Sequence, residues 1–288
     1  MDEITMKKQL IQWLFETRAF RAAPEHQPFW YTSGTIGPYY INTHFLFGSE
    51  SEANRLLQSI DQNLDQPADL IRLLTEKSRA QYRSSTLYSS LIDRVVSLAR
   101  VIPCDFISGG ERRDFFFSFS VAQQLNKPHI SLFKNREAWI SSEQMASRRL
   151  SENECAGQKA LHISDLVTEA SSYFRAWIPT VEHLGAVMPN TMTIVNRNQG
   201  GREKLAEKGT QLTALLTIQD DLFEEALKMG LIDEGQFNQI IHFIHDPIRY
   251  QSDFMKKHPE FIRQQIAAGG RNAERALLYL EKHHGPEN

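Results

Sequence analysis

The sequence predicts an α/β protein with a doubly wound, mostly parallel sheet, and two observations carry that expectation. From Cys104 to residue 218, short apolar runs alternate with amphipathic stretches of helical length. Strands joined by helical crossovers give that pattern. After residue 219 no strand pattern occurs and the texture is helical. The expected organisation is an α/β domain over 1–218, with a small N-terminal hood, and a helical C-terminal extension over 219–288.

Each element has a local signal. Ile4, Leu10, Ile11, Leu14 and Phe15 share one face of a helix over 4–20. Pro24 and Pro28 open a loop, and Gly34, Gly37 and Pro38 set a turn between two strand-like pieces in 31–43. Helical patterns follow over 51–63, 67–82 and 85–102, the last carrying Leu91, Ile92, Val95, Val96 and Leu98. CDFIS, from Cys104, is a buried strand, Gly109-Gly110 a turn, and 113–126 a helix in which Phe115, Phe116, Phe117 and Phe119 pack on the sheet. PHISLF (128–133) and KALHIS (159–164) are the next strands. Between them, the length and polarity of 134–157 mark a functional lid or an unstructured insert. A helix over 171–184, a strand in 186–196, a helix over 201–208 and a strand over 210–218 complete the series. Pro247, Pro259 and Gly269-Gly270 divide the remainder into four or five helices, and the final HHGPEN reads as a frayed tail.

Composition narrows the function classes. A net charge of -3 without a basic stripe argues against a nucleic-acid partner. Cys104 and Cys155 lack CxxC spacing, which argues against a disulfide framework or a cysteine-rich zinc site. The first twenty residues are amphipathic and begin acidic, unlike a secretory signal, and no apolar run is long enough to span a membrane. A cytoplasmic protein is expected. His242 and His245 lie one helical turn apart without a third ligand, so they read as surface or packed histidines; His162 reads as a satisfied core histidine.

Ligands of a parallel sheet sit beyond the C-terminal ends of its strands, and three segments fall there. Ile107-Ser-Gly-Gly-Glu-Arg-Arg-Asp114 lies between a strand and a helix, where glycines and a helix start admit an anion and Arg112 and Arg113 add charge; a plain connection has the same pattern. In Leu161–Ser172 a buried strand delivers Asp165, followed by Thr168, Ser171 and Ser172. A carboxylate there suits a ribose diol or a magnesium ion, and the hydroxyls suit a phosphate; the plain alternative is a turn-capping Asp165. Ile194–Gly201 ends another strand with Arg197, suited to a paired contact with a planar carboxylate or to a surface position.

Taken in order, SGTIGPYYIN, ISGG before a helix, SDLVTEASS and VNRNQGGREKLAEKGTQL resemble the orotate phosphoribosyltransferases over residues 5–218. The resemblance implies a type I phosphoribosyltransferase fold and a homodimer. It also implies transfer of ribose 5-phosphate from phosphoribosyl pyrophosphate to orotate or a related base, with magnesium, in pyrimidine nucleotide synthesis. By position, Asp165 matches the second acid of the family's acidic pair, as a catalytic and metal-binding residue. Lys134 resembles the lysine before the mobile catalytic loop. Thr168, Ser171 and Ser172 match the 5-phosphate loop, and Gly109 and Gly110 lie in the pyrophosphate-loop region. Arg197 matches the arginine that reads the orotate carboxylate, and Tyr39 and Tyr40 match aromatic positions near the base.

The chain departs from the family at several of these places. Ser164 stands where the first acid is expected, Glu169 and Ala170 where a small polar residue and glycine are preferred, Thr32 for a lysine, and Asn196 for an aspartate. The loop's own lysine and histidine are not recognisable in NREAWISSEQ. Function resides in the site, so these changes admit a non-catalytic nucleotide sensor or regulator as the alternative to an enzyme.

Overall fold

A computed structural model gives the structure over residues 3–283; residues 284–288 of the expected frayed tail lie outside the described residues. In chain order the elements are α1 (Glu3–Glu16), β1 (Phe20–Ala22), β2 (Phe29–Trp30), β3 (Ile36–Gly37), β4 (Tyr39–Ile41), α2 (Glu50–Gln62), α3 (Pro67–Ser84) and α4 (Thr86–Ala99). Then come β5 (Phe106–Gly110), α5 (Phe115–Leu125), β6 (His129–Leu132), β7 (Ala138–Ser142), β8 (Met145–Arg149) and β9 (Lys159–Val167). A π-helical turn, Tyr173–Trp177, runs into α6 (Ile178–His183), followed by β10 (Val187–Asn196), α7 (Gly201–Glu207) and β11 (Gln211–Thr217). The last helices are α8 (Asp220–Lys228), α9 (Glu234–His245), α10 (Pro247–Lys257), α11 (Phe261–Ala268) and α12 (Gly270–His283).

Local chemistry sets the helix ends. Ser49 and Ser85 accept the N–H groups of Glu52 and Tyr88, each at 3.2 Å, and so cap α2 and α4. Pro67 opens α3, where its missing N–H costs nothing. Asn126 closes α5 in the left-handed conformation at φ 51°.

The described residues form two compact units. The first runs up to Ala19 and over Asn42–Ile218, and holds a seven-stranded sheet in the order β11-β10-β9-β5-β6-β7-β8. Neighbours from β11 to β6 are parallel; β7 and β8 add antiparallel at the edge. The chain moves from β5 to β6 in one direction and from β9 through β10 to β11 in the other. Right-handed crossovers then put α5 on one face and α6 and α7 on the opposite one, the doubly wound arrangement. Phe115, Phe116, Phe117 and Phe119 are all buried, as their spacing predicts. A second apolar cluster gathers Phe106, Leu132, Trp177, Val181, Leu205 and Leu212.

The 134–157 segment is not an unstructured insert: it contains the hairpin β7–β8, whose first strand pairs with β6. Ala138 and Leu150 are buried, which gives the hairpin an apolar anchor at its base.

The second unit comprises Phe20–Ile41 and the described residues from Gln219 on. The hood segment expected within 1–218 thus groups with the C-terminal helices. The reason is aromatic burial: Tyr39 lies against Phe20 at 5.1 Å and Phe243 at 5.6 Å, and Trp30 stacks on Phe261 at 5.7 Å. His245 and Asp220 pair at 2.7 Å within this unit, and among the described residues no metal-binding group forms around His242 or His245.

Candidate functional site

Strand order reverses between β5 and β9, which are hydrogen-bonded neighbours. In a doubly wound sheet the crevice beyond such a switch point is where ligands bind. Two loops border it, 111–114 after β5 and 168–170 after β9.

The β9 loop places the expected residues directly after the strand. Asp165 is buried near the strand end, Thr168 is half-buried, and Glu169, Ser171 and Ser172 are exposed. Helical structure begins at Ser171, so its first amides have no intrahelical partner and the dipole favours an anion. Ala170 takes φ 57°, the left-handed conformation that glycine adopts without strain, and is buried. The loop therefore reaches a glycine-type geometry with an alanine, while the carboxylate of Glu169 stays in solvent.

Gly109 and Gly110 do not form a turn. They end β5 and are buried. A Cβ at Gly109 would stand 2.1 Å from Ser118 Oγ, and one at Gly110 2.3 Å from Trp177 Cε2. The Gly110 N–H donates to Asp114 Oδ2 at 3.0 Å. Both glycines thus serve close packing in place of the expected phosphate cradle, because a strand end lies under a helix and an indole there. The turn itself is Glu111–Asp114.

Asp114, which sequence reasoning passed over, ties the two loops together. Its Oδ1 accepts the Asp165 N–H at 3.0 Å, and its Oδ2 lies 3.3 Å from His162 Nε2. His162 Nδ1 is in turn 3.0 Å from Ser108 Oγ; His162 is fully buried, as its place in the strand suggested, but it is not the satisfied histidine expected there, because its Nε2 makes no hydrogen bond. The Asp114 and Asp165 carboxyls are neighbours. Burial, with the Asp114 charge beside it, raises the Asp165 carboxyl above the ordinary carboxylate range, against the opposing pull of Arg113. The one sequence signal for Asp114 was an acid immediately before a helix that follows a strand.

Other expected residues are dispersed. Lys134 is largely exposed; its Nζ pairs with Glu111 at 3.4 Å and its N–H donates to the same carboxylate at 3.1 Å. Arg197 follows β10, with its N–H on the Val167 carbonyl at 2.8 Å, beside the β9 loop. Tyr39 and Tyr40 belong to the second unit. Tyr39 is 1% exposed, which leaves its ring no face for a base, and the Tyr40 hydroxyl bonds to the Trp30 carbonyl. The expected aromatic reading of the base fails at Tyr39 because core packing takes its ring.

Magnesium, implied by the resemblance, was tested against the donors present. Among the described residues no three His, Cys, Asp or Glu side chains gather as a metal group. Magnesium ordinarily takes one or two protein carboxylates and completes its shell with water and substrate phosphates; Asp114 and Asp165 are two neighbouring carboxyls of that kind. No helix among the described residues is long and apolar enough to cross a membrane.

Comparison with known proteins agrees with this architecture. No family model matches the chain. The orotate phosphoribosyltransferase of Staphylothermus marinus is 24% identical over 159 residues, which span 55% of this chain and 74% of that protein. Among solved structures, Leishmania donovani UMP synthase superposes with a TM-score of 0.52 at 17% identity, covering 83% of this chain and 42% of that one. The chain therefore spans under half of that synthase. The orotate phosphoribosyltransferase of Francisella tularensis gives a TM-score of 0.50 at 13% identity, covering 82% of this chain and 96% of that one. With its seven-stranded, mostly parallel sheet, the chain has the type I phosphoribosyltransferase fold and is similar in sequence to orotate phosphoribosyltransferases.

Proposed function

We propose that the chain is a phosphoribosyltransferase that binds phosphoribosyl pyrophosphate in the crevice beyond β5 and β9 and transfers ribose 5-phosphate to orotate or a related base. The observation that carries this reading is the exposed Ser171 and Ser172 at a helix start, directly after buried Asp165, at the switch point of the sheet. Amides and hydroxyls there suit a phosphate monoester. Arg113 lies within electrostatic reach of Asp165 and suits the departing pyrophosphate. Arg197, beside the same loop, suits the carboxylate of the acceptor base.

Such chemistry asks little covalent help from protein. The site would hold donor and acceptor in line and stabilise an oxocarbenium-like ribose by position and charge. Magnesium enters this proposal only as an ion carried by the ligand's phosphates, and a homodimer and a place in pyrimidine nucleotide synthesis follow from the family resemblance. A cytoplasmic setting belongs to the same proposal.

A non-catalytic nucleotide sensor is the second reading, favoured by the enclosed Tyr39 and by the Lys134–Glu111 pair, which occupies an expected catalytic lysine. A turnover assay separates the two. Phosphoribosyl pyrophosphate and orotate are incubated with the protein, and pyrophosphate and orotidine monophosphate are measured. Release of both products supports the enzyme; saturable binding of the donor with no product overturns it in favour of the sensor.

A further inference from the structure

The second unit holds a cavity of its own, between the β1–β2 loop, α9 and α10, and every residue that lines it belongs to that unit. Its volume is about 250 Å³, below the roughly 300–1,000 Å³ of pockets that take drug-sized ligands. A smaller molecule is what it can hold. Tyr250 and Phe254, one turn apart on α10, supply its aromatic part and are 5% and 8% exposed. The Tyr250 hydroxyl is buried without a hydrogen-bond partner, which is costly unless something supplies the missing bond.

Two carboxylates line the same cavity, Glu25 and Asp253. Asp253 shares a face of α10 with Tyr250, and His242 touches both, at 3.8 Å from the carboxylate and 5.7 Å between ring centroids. The basic groups nearest the two acids are His26 at 3.8 Å from Glu25, and His242 at 3.8 Å and Arg249 at 3.7 Å from Asp253. Those separations are too long for hydrogen bonds, so both acids keep acceptor capacity. Lys257 is the only lysine or arginine lining the cavity, and it is exposed. Carboxylates outnumber it two to one, and the histidines there are cationic only when protonated. A metal ion does not suit the set, because no three ligating side chains gather among the described residues. Acids, an unpaired hydroxyl and aromatic rings together suit an organic cation.

We propose that this cavity binds a small alkyl amine, with the ammonium on Asp253 and the Tyr250 hydroxyl, Glu25 at the rim, and the methylene chain against Tyr250 and Phe254. The site goes beyond the phosphoribosyl reading and does not rest on it.

Calorimetry on the full chain at mildly alkaline pH tests this with putrescine and with the uncharged diol of the same length. Wild type is expected to bind putrescine saturably at one site and to give no heat with the diol. Asp253→Asn should weaken putrescine about tenfold or more. Glu25→Gln, measured alongside, should weaken it less, because that side chain is 64% exposed against 38% for Asp253. Tyr250→Phe should cost about fivefold in affinity, while the ligand-free variant melts no lower than wild type because the unpaired hydroxyl is gone. A merely structural Tyr250 would do the reverse, with a lower melting temperature and unchanged affinity; that result overturns the proposal. Putrescine affinity unaffected by both acid substitutions would place the amine elsewhere and overturn it as well. Equal binding of the diol would show that charge is not what is read, with the same consequence. No heat with putrescine overturns the amine site and leaves the phosphoribosyl reading standing.

Discussion

Gly110 and Trp177 meet without room for a side chain between them: a Cβ on Gly110 would stand 2.3 Å from the indole Cε2. The end of β5 and the π-helical turn after the β9 loop are thereby locked to each other. Gly110→Ala forces either the indole or the strand to shift, at about 1–3 kcal/mol for overpacking. The expected outcome is a lower melting temperature and weaker phosphate binding together. An unchanged melting curve would show that this packing is slack.

Ser172 gives a direct probe of the β9 loop. It is exposed at the helix start, so Ser172→Ala should leave folding intact and remove one charge-assisted hydrogen bond to a bound phosphate, about 1.5–3 kcal/mol. In calorimetry that is a loss of about tenfold or more in affinity for ribose 5-phosphate. Equal affinity in the two proteins would move the phosphate elsewhere.

Metal dependence follows from the donor set. Among the described residues no three metal-binding side chains gather, so binding of inorganic phosphate should be the same with magnesium and with a chelator. Phosphoribosyl pyrophosphate, which brings its own oxygen ligands, should respond to the ion. A chelator that abolishes inorganic phosphate binding would reveal a cation site in the protein.

Two buried histidines set the acid limit. Burial lowers His129 to about 3, helped by His162; burial lowers His44 to about 3, helped by the charges of Arg113 and Arg112. Both are neutral in the native state, while the unfolded chain protonates near the ordinary value of 6.5. Their contribution is therefore complete above that value and is lost as the pH falls from there towards 3. Each histidine should contribute a slope of about 1.4 kcal/mol per pH unit. Urea unfolding across mildly acidic pH measures the slope, and His129→Gln should make it shallower while lowering stability at neutral pH through lost contacts with Ser118 and Ser131. A slope unaffected by the substitution would contradict this assignment.

Lys134 offers a clean separation of stability from activity. Lys134 is 60% exposed, although its partner Glu111 is only 11% exposed, so solvent screens the lysine end and the pair should contribute no more than about 1 kcal/mol. Lys134→Ala should melt within that margin of wild type. A loss of turnover in the same variant would then report on chemistry and not on folding.

The sequence was most legible where periodicity is local. The helices expected over 51–63 and 67–82 and the strands of 104–218 recur within a few residues of their places because one apolar face decides each of them. The hairpin of 138–149 escaped notice because β8, at the sheet edge, is mostly exposed and shows little alternation. Gly109-Gly110 read as a turn because the requirement for glycine comes from Ser118 and Trp177, whose approach no local pattern records. Asp114 was invisible as a site residue for the same reason: its partner Asp165 is 51 positions away. The placement of the 168–172 hydroxyls after β9 was legible because a strand, a loop and a helix start follow one another in the chain.

Titration of ribose 5-phosphate into the wild-type protein tests the central claim most directly. Saturable heat at a single site, competed away by inorganic phosphate, is the predicted result. Absence of heat with ribose 5-phosphate and with phosphoribosyl pyrophosphate alike would mean that the crevice beyond β5 and β9 is not a phosphoribosyl site.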